Sequence, residues 1–565
     1  MSNITKNIAL IFISFLLLLS WWSSLTVGLS TDEYFHHING MKRYNFLVSF
    51  GEDKNFQFRN NEFYPGLYDT LSYALGQIIL LINKKFYAAN IDFVMHIVNV
   101  TFSSLSLLGL YLFTKKILNK DIAILAVLIT LLNPFFFGHM GMNSKDLIVF
   151  FSLIWFTYYF YLYCVENENI TKNLLLASFF MGFGCGVRLT FLVVIFPVVV
   201  CGIIYLINKY KSDYFYLSKR LSLHILIAFV ITIFLVILCW PHVLVSIQSD
   251  NFFRFLSIIV KNTINWNDGP KTGIINGEYY EVFNTPKFYF LNIILFRLPF
   301  YFSILLFFTY FLFFSKKLFL QKDINNFNLI FGLINLFAFF PIILALILSV
   351  NIYDNLRLFL FIIPFFSIIA ALSLHQILLS SRNSWKIKSF ASIILILFSV
   401  SFYRFIILTP YQYDYINYSS VKLSNANEKW EHDYWGASYK ELVLKIKNNL
   451  NDEEIKNLKI TNCSGDDTLL YYLYRHLGKK FIYRSKREHL ADHVILINRA
   501  TLDVINNPLV GNLVNEKGTM LLKDMERVVR TPGVKTRCPI QYKGTDIIKV
   551  TRGGITLSAL RKLDK

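Results

Sequence analysis

The chain has 565 residues, of which 55% are hydrophobic and 16% charged, with a mean hydropathy of +0.47. Soluble globular chains carry roughly 25% charged residues, so this composition is that of a polytopic membrane protein, and 25 Gly, 13 Pro, 6 Cys and 56 Phe exclude collagen-like, coiled-coil, disulfide-scaffold and disordered classes. The net charge of +20 is placed against a bilayer before it is read as a nucleic-acid surface, and no nucleic-acid partner is expected.

A membrane span needs about 20 apolar residues. Such runs lie at 8–29, 91–114, 121–138, 146–165, 173–208, 221–243, 288–314, 327–350, 357–379 and 389–409. The run 173–208 is too long for one helix and breaks near the Gly-rich "GFGCGVRLT", which brings the expected count to eleven spans. Lys115, Lys116 and Lys120, Lys172, Lys209 through Arg220, Lys316, Lys317 and Lys322, and Arg382, Lys386 and Lys388 fall in alternate loops, and the positive-inside rule makes those loops cytoplasmic. The first run extends past the apolar length of a signal peptide, ends in Trp21-Trp22 and lacks a small-x-small cleavage site, so it reads as a retained anchor. A cytoplasmic N-terminus and an extracytoplasmic C-terminus follow. The outer segments are then 30–90, 138–145, the turn near Arg188, 244–287 and 351–356. The stretch 71–82, too short to span, is expected as an interfacial helix, with Lys84-Lys85 beside it.

Residues 1–409 thus form the transmembrane part and 410–565 a smaller α/β domain, in which strand-like runs such as "HVILIN" alternate with helix-like runs such as "SYKELVLKIKNNL". Cys164, Cys185, Cys201 and Cys239 lie in apolar runs, whereas Cys463 and Cys538 lie in the polar part and pair only if that part is outside the cytoplasm. Asp466-Asp467 has the look of a helix N-terminus.

The segment "GLSTDEYFHHINGMKRYNF" sets Asp32 and Glu33 at the outer boundary, with His36 and His37 one helical turn on. Taken alone, this pair is most simply the cap of an interfacial helix. Three other outer segments carry matching chemistry: "NPFFFGHMGMNSKDL" with His139, Lys145 and Asp146, "GVRLT" with Arg188, and "NIYDNLRLFLF" with Asp354 and Arg357. Any one of these cations has a bland reading as a snorkelling residue. Together they describe an anion site at the outer leaflet with a carboxylate pair available as a base. Arg and Lys would meet the departing phosphate of a lipid-linked donor, a carboxylate would accept the proton of the incoming hydroxyl or amine, and attack opposite the phosphate inverts the sugar carbon.

The motifs "TDEYFHHINGM", "NPFFFGHMGMNSKDL", "GFGCGVRLT", "CWPHVL", "YDNLRLFLFIIP" and "HDYWGASYKEL" resemble, in order and spacing over residues 20–450, the GT-C glycosyltransferases. Within that clan they resemble a bacterial, family-39-like branch akin to protein O-mannosyltransferases and the lipid A aminoarabinose transferase. The resemblance implies a polytopic α-helical GT-C-like fold and a polyprenyl-phosphate-sugar-dependent hexosyl or pentosyl transferase of the bacterial inner membrane. It puts the clan's first-loop acid on Asp32 with Glu33 beside it, its Lys-Asp on Lys145 and Asp146, and its turn and tenth-span arginines on Arg188 and Arg357. Asn355-Leu356, Leu358 and Leu189-Thr190 depart from the pattern and bear on the sugar pocket, not on the acidic pair. The expected partners are the lipid-linked donor, membrane lipid, and an acceptor glycan, lipid or protein. A lipid-linked glycan transporter or flippase and a non-enzymatic assembly subunit are the alternatives; the first would gather its charges near the midplane rather than at one boundary. Asp32, Glu33, His36, His37 and His139 have the atoms of a metal site, but their spacing is not diagnostic, so no metal is expected, though a divalent ion stays open. Tyr434 and Trp435 of "HDYWG" are expected as an interfacial anchor, with stacking on a sugar face as the other reading.

Overall fold

The computed structural model describes all residues except 59–60, 86–89, 212–213, 250, 265–271, 277, 283–284, 319–325, 349, 381–383, 418–428, 463–465, 485–490, 498–518, 522–543 and 565. The expected pairing of Cys463 with Cys538 lies outside the described residues. In chain order the first helices are α1 (Asn3–Thr26), α2 (Thr31–Val48) and α3 (Leu67–Ile82). Then come α4 (Ile91–Ile117), α5 (Lys120–Leu131), α6 (Pro134–His139), α7 (Asp146–Val165), α8 (Ile170–Val187), α9 (Phe191–Lys209) and α10 (Tyr214–Leu238). The remaining helices of the apolar part are α11 (Pro241–Gln248), α12 (Phe252–Ile264), α13 (Tyr289–Arg297), α14 (Phe300–Phe314), α15 (Phe327–Ile347), α16 (Ile363–Ser380, entered through a 3-10 turn at Arg357–Ile362) and α17 (Trp385–Ile407).

Among the described residues nine helices are long and apolar enough to cross a membrane, and the pair α13 and α14, bent by 115°, adds a tenth. The polytopic helical architecture is therefore as expected. The eleventh expected span, 121–138, is no single helix. Asn133 caps the six-residue α6, its side chain accepting the Phe136 amide, and Pro134 at the first helical position has no amide hydrogen to continue α5. The α5–α6 unit still runs the length of α1: Asp121 at its start pairs with Lys6 at 2.9 Å, and Gly141 just past its end abuts Ser24. The split within 173–208 falls at Arg188–Thr190, between α8 and α9, as expected, and 71–82 is the core of the short helix α3.

After α17 the chain forms a mixed sheet in the order β4-β3-β5-β8-β7, where β3 is Lys459–Asn462, β4 Ile482–Tyr483, β5 His493–Ile497, β7 Gly544–Arg552 and β8 Ile555–Leu563. β3 runs parallel to β4 and β5, whereas β8 is antiparallel to β5 and β7. Helices α18 (Tyr439–Asn449), α19 (Asp452–Asn457) and α20 (Asp466–Leu477) accompany it. Leu442, Ile446, Leu473, Ile460, Ile495 and Leu560 share a core that continues into Val27, Leu29 and Met95 at the ends of α1 and α4. A second sheet joins β1 (Thr272–Ile275), β2 (Glu278–Glu281) and β6 (Thr519–Leu521).

The helical part and the sheet part meet through backbone contacts that leave no room for side chains. Gly28 donates its amide to the Ala437 carbonyl at 3.0 Å, and Thr31 donates to the Trp435 carbonyl at 2.9 Å. At Gly138 in α6, an added Cβ would lie 2.1 Å from the Tyr413 amide nitrogen, which is backbone and has no rotamer to move. Gly138→Ala is therefore expected to lower stability by roughly 1–3 kcal/mol, the usual cost of overpacking, read as a fall in the thermal midpoint of the purified protein in detergent.

Candidate active site

The turn between α1 and α2 separates the two neighbouring acids. Ser30 caps α2: its hydroxyl accepts the Glu33 amide, and the Glu33 carboxylate accepts the Ser30 amide at 2.8 Å. This capping box turns Glu33 inward. Its oxygens also face His96 Nε2 at 3.1 Å and accept Asn99 Nδ2 at 2.9 Å, both from α4, and the side chain is fully buried. His96 Nδ1 faces the Ser24 carbonyl at 2.6 Å, so the imidazole bridges α1 to α2, and the Tyr68 hydroxyl donates to Asn99 at 2.6 Å.

Asp32, one residue earlier, points the other way and keeps 45% of its side chain exposed. Arg357 Nη1 donates to its Oδ2 at 3.0 Å. The same guanidinium, only 6% exposed, lies 3.2 Å from Asp354 and 3.8 Å from Asp146, and it stacks over the rings of Trp435 at 4.7 Å and Tyr353 at 5.3 Å. Asp354 and Asn355 hold the left-handed backbone conformation, φ 54° and 62°, and the resulting bend swings the Asp354 carboxylate back onto the arginine that follows it. Asp146 opens α7 and is held from below by Asn143, whose side-chain oxygen accepts the Asp146 and Lys145 amides at 2.7 and 3.1 Å. Arg188, from the turn between α8 and α9, forms an ion pair with Asp146 at 2.9 Å.

Lys145 sits between these charges with its Nζ 3.8 Å from the centre of the Tyr64 ring. Burial, and then the nearby Arg188, push its ammonium down to about 7, with Asp146, Asp32 and Asp69 pulling the other way. His139 stands behind the arginine: its Nε2 meets the Tyr434 hydroxyl at 2.9 Å, Asn143 Nδ2 approaches its Nδ1 at 3.4 Å, and its ring lies edge-on to Trp435. Burial and Arg357 hold it well below the usual imidazole range, so it is neutral.

The fold thus brings Asp32, Lys145, Asp146, Arg188, Asp354 and Arg357 to one place, sets His139 in its wall and withdraws Glu33 into the scaffold. Tyr434 and Trp435 are buried, not at a lipid boundary and not open to a sugar, because the turn that carries them is clamped to the start of α2. Asp433 fixes that turn by accepting from Tyr413, from the Ser438 hydroxyl and from the Ser438 amide. The five side chains with the atoms of a metal site disperse: Asp32 to Arg357, Glu33 to His96, His36 to Asp69, His139 to Tyr434, and His37 against Tyr73, where burial pushes it down to about 4. Among the described residues no group of three or more His, Cys, Asp or Glu side chains is placed to hold a metal ion.

Residues that the sequence reading missed build the frame. Arg43, fully buried, donates to the Asn61 and Tyr64 carbonyls at 2.8 and 2.7 Å and fills the space over Gly66, which ties the loop bearing Tyr64 to α2. His96 and Asn99 were detectable, since polar side chains inside an apolar run mark internal contacts. Asp92, paired with Lys440 at 2.8 Å and Arg475 at 3.1 Å, locks α4 to the sheet part; nothing local in the sequence pointed to it.

Residues 79–240 match the model of the family described as dolichyl-phosphate-mannose-protein mannosyltransferase. This match bears out, over that segment, the family likeness read from the motifs, and it contains Lys145, Asp146 and Arg188. No curated protein sequence matches the chain. Among solved structures the chain is similar to ArnT from Cupriavidus metallidurans bound to undecaprenyl phosphate, with 10% identity, 98% of each chain covered and a TM-score of 0.48. ArnT from the same organism in the apo state gives 14% identity over 85% of this chain and 86% of that one, with a TM-score of 0.46. The archaeal oligosaccharyltransferase AglB from Archaeoglobus fulgidus, in complex with an inhibitory peptide and a dolichol-phosphate, gives 12% identity over 87% of this chain and 70% of that one, with a TM-score of 0.43.

Two outcomes follow from the geometry. Glu33→Gln places an amide where donors converge from Ser30, His96 and Asn99, so one buried donor loses its acceptor; a stability loss of about 1–3 kcal/mol is expected in thermal melts. Lys145 is partly neutral in the empty site and gains charge when an anion binds. Affinity for inorganic phosphate is therefore expected to weaken as pH rises above about 7. Lys145→Arg, whose guanidinium stays charged, should flatten that dependence in a titration of binding from pH 6 to 9, that is over roughly the range in which a depressed lysine titrates.

Proposed function

We propose that the protein is a glycosyltransferase that moves a sugar from a polyprenyl-phosphate carrier to a glycan, lipid or protein acceptor at the outer face of the bacterial inner membrane, with inversion at the sugar carbon. The N-terminus lies in the cytoplasm, and residues 410–565 form an extracytoplasmic domain beside a catalytic part at 1–409. The observation that carries this reading is the Arg357 guanidinium, held by two nearly buried carboxylates, Asp146 and Asp354, while its third carboxylate, Asp32, remains half in water. The family match supports the lipid-linked donor, since the family's description itself names a dolichyl-phosphate-linked sugar.

In the empty site Arg357 ties up Asp32. An ion pair with one partner so exposed is worth only about 0–1 kcal/mol, so a phosphate that approaches Arg357, Arg188 and Lys145 displaces Asp32 at little cost. The freed carboxylate then accepts the proton of the acceptor hydroxyl as its oxygen bonds to the sugar carbon. The carbon–oxygen bond to phosphate breaks with its electron pair on the phosphate, where Arg357 and its neighbours meet the growing charge. Asp146 and Asp354 act as positioning residues that keep the guanidinium in place, and Trp435 is the flat surface against which it lies. No divalent ion is assigned a role.

The test is transfer from radiolabelled polyprenyl-linked sugars, extracted from the producing cells, to membrane acceptors. Asp32→Asn keeps the shape of the side chain and its bond from Arg357 but removes the base; it should reduce turnover by about 10²- to 10⁴-fold without lowering the thermal midpoint. Near-normal transfer by this variant would overturn the assignment.

A further inference from the structure

One turn beyond Asp32 on the same face of α2, His36 is paired through Nδ1 with both oxygens of Asp69, at 3.0 and 3.1 Å. Asp69 comes from the first turn of α3, and the pairing exists because α2 and α3 approach at Gly40, where an added Cβ would lie 2.2 Å from the Asp69 carbonyl oxygen. A carboxylate on Nδ1 fixes that nitrogen as the donor and leaves Nε2 as the acceptor. Among the described residues Nε2 has no hydrogen-bond partner, and it is not sealed in the interior. The neighbouring charges are Asp32 on the same helix, Asp69 on α3, Lys145 at the mouth of α7, where the fields of Asp32 and Asp69 both reach, and Arg43, which lies near Asp69. Among the described residues the Tyr68 hydroxyl and the Cys239 thiol also lie in the field of Asp69, and the Tyr68 hydroxyl is engaged with Asn99. The dyad therefore lies beside the proposed base, is oriented by its own carboxylate, and takes no part in holding the phosphate cations.

We infer that His36, oriented by Asp69, receives the acceptor's proton from Asp32 and passes it to water, so that Asp32 is regenerated while product is still bound. This inference rests on the glycosyl-transfer reading. The hydroxyl oxygen bonds to the sugar carbon, the phosphate leaves with the electron pair, and the proton goes first to Asp32. It then moves to His36 Nε2, forming an imidazolium beside the Asp69 carboxylate, and finally to bulk water. A carboxylic acid at the edge of an ion-pair cluster is a poor place to leave a proton, because protonated Asp32 can no longer return to Arg357. An imidazole four residues away, with a carboxylate behind it, removes that block.

The experiment uses the full-length protein in proteoliposomes with the extracted polyprenyl-linked sugars as donor. His36→Ala should lower kcat by roughly 10²-fold and lower the donor KM with it, leaving kcat/KM within about twofold, because the step lies after transfer. Added imidazole should restore part of the loss, and the restoration should grow as pH rises through the imidazole range. His36→Gln, which keeps size and hydrogen bonding but takes no proton, should be as slow as His36→Ala and should melt at the wild-type temperature. Asp69→Asn should give a smaller loss that imidazole does not repair. Wild-type turnover by His36→Gln, or a folded His36→Ala that imidazole fails to rescue, overturns the relay. With Asp32→Asn inactive, either result removes the relay alone, whereas normal transfer by Asp32→Asn removes the glycosyl-transfer reading with it.

Discussion

The site depends on one guanidinium held where an apolar helix begins. Arg357 is the first residue of the turn that leads into α16, and burying its charge without partners would cost several kcal/mol. Three acids from three distant parts of the chain and two aromatic faces meet it there. Each partner has to be delivered by a separate structural device: the left-handed backbone at Asp354, the Asn143 cap under Asp146, the α1–α2 corner for Asp32, and the clamped turn for Trp435. Because the cluster is over-determined on its buried side and weakly held on its exposed side, it has one partner that can leave. That partner is the proposed base.

Charge balance explains why the empty cluster tolerates so many acids. Asp32, Asp146 and Asp354 face Arg357, Arg188 and Lys145, and the last of these is pushed toward neutrality by burial and by Arg188. The three carboxylates then outweigh the cations, which keeps Arg357 fully paired. In the proposed reaction a phosphate replaces Asp32 at the arginine and recharges Lys145, so the binding event that neutralises the ligand also releases the carboxylate. A cluster with more fixed cations would bind phosphate more tightly but would also hold the product phosphate, and slow release would then limit turnover.

How much of this was legible in the sequence follows from the range of the forces involved. Spans, the break at Arg188 and the strands of the C-terminal sheet were readable because each is set by local hydrophobic pattern. The convergence of Asp32, Lys145, Asp146, Arg188, Asp354 and Arg357 was readable because alternate loops share one boundary. The division of labour between Asp32 and Glu33 was not, since it turns on which acid completes the capping box with Ser30 and meets His96 and Asn99, partners more than sixty residues away. Nor was the burial of Trp435 legible. A Trp-Tyr pair just beyond an apolar run has the composition of a lipid anchor, and only the hydrogen bonds from Thr31 and Gly28 to the 435–437 backbone show that it is walled in.

Those same bonds give the sheet-bearing part of the chain a reason to be there. The Trp435 carbonyl accepts both the amide and the hydroxyl of Thr31, the residue just before Asp32, while the Trp435 ring lies under Arg357. One residue of the C-terminal part thus holds Thr31, next to Asp32, with its backbone and the Arg357 guanidinium with its ring, the two groups that the proposed reaction uses as base and phosphate cation. The turn is in turn fixed by Asp433, whose carboxylate burial and the nearby Asp414 keep above the usual range, and by the Tyr434–His139 bond to α6. The Trp435 turn thus lies against both sides of the Asp32–Arg357 pair, through its backbone at Thr31 and through its ring at the guanidinium. A domain that merely shielded the site from water would touch its rim; this one is built into the frame of that ion pair.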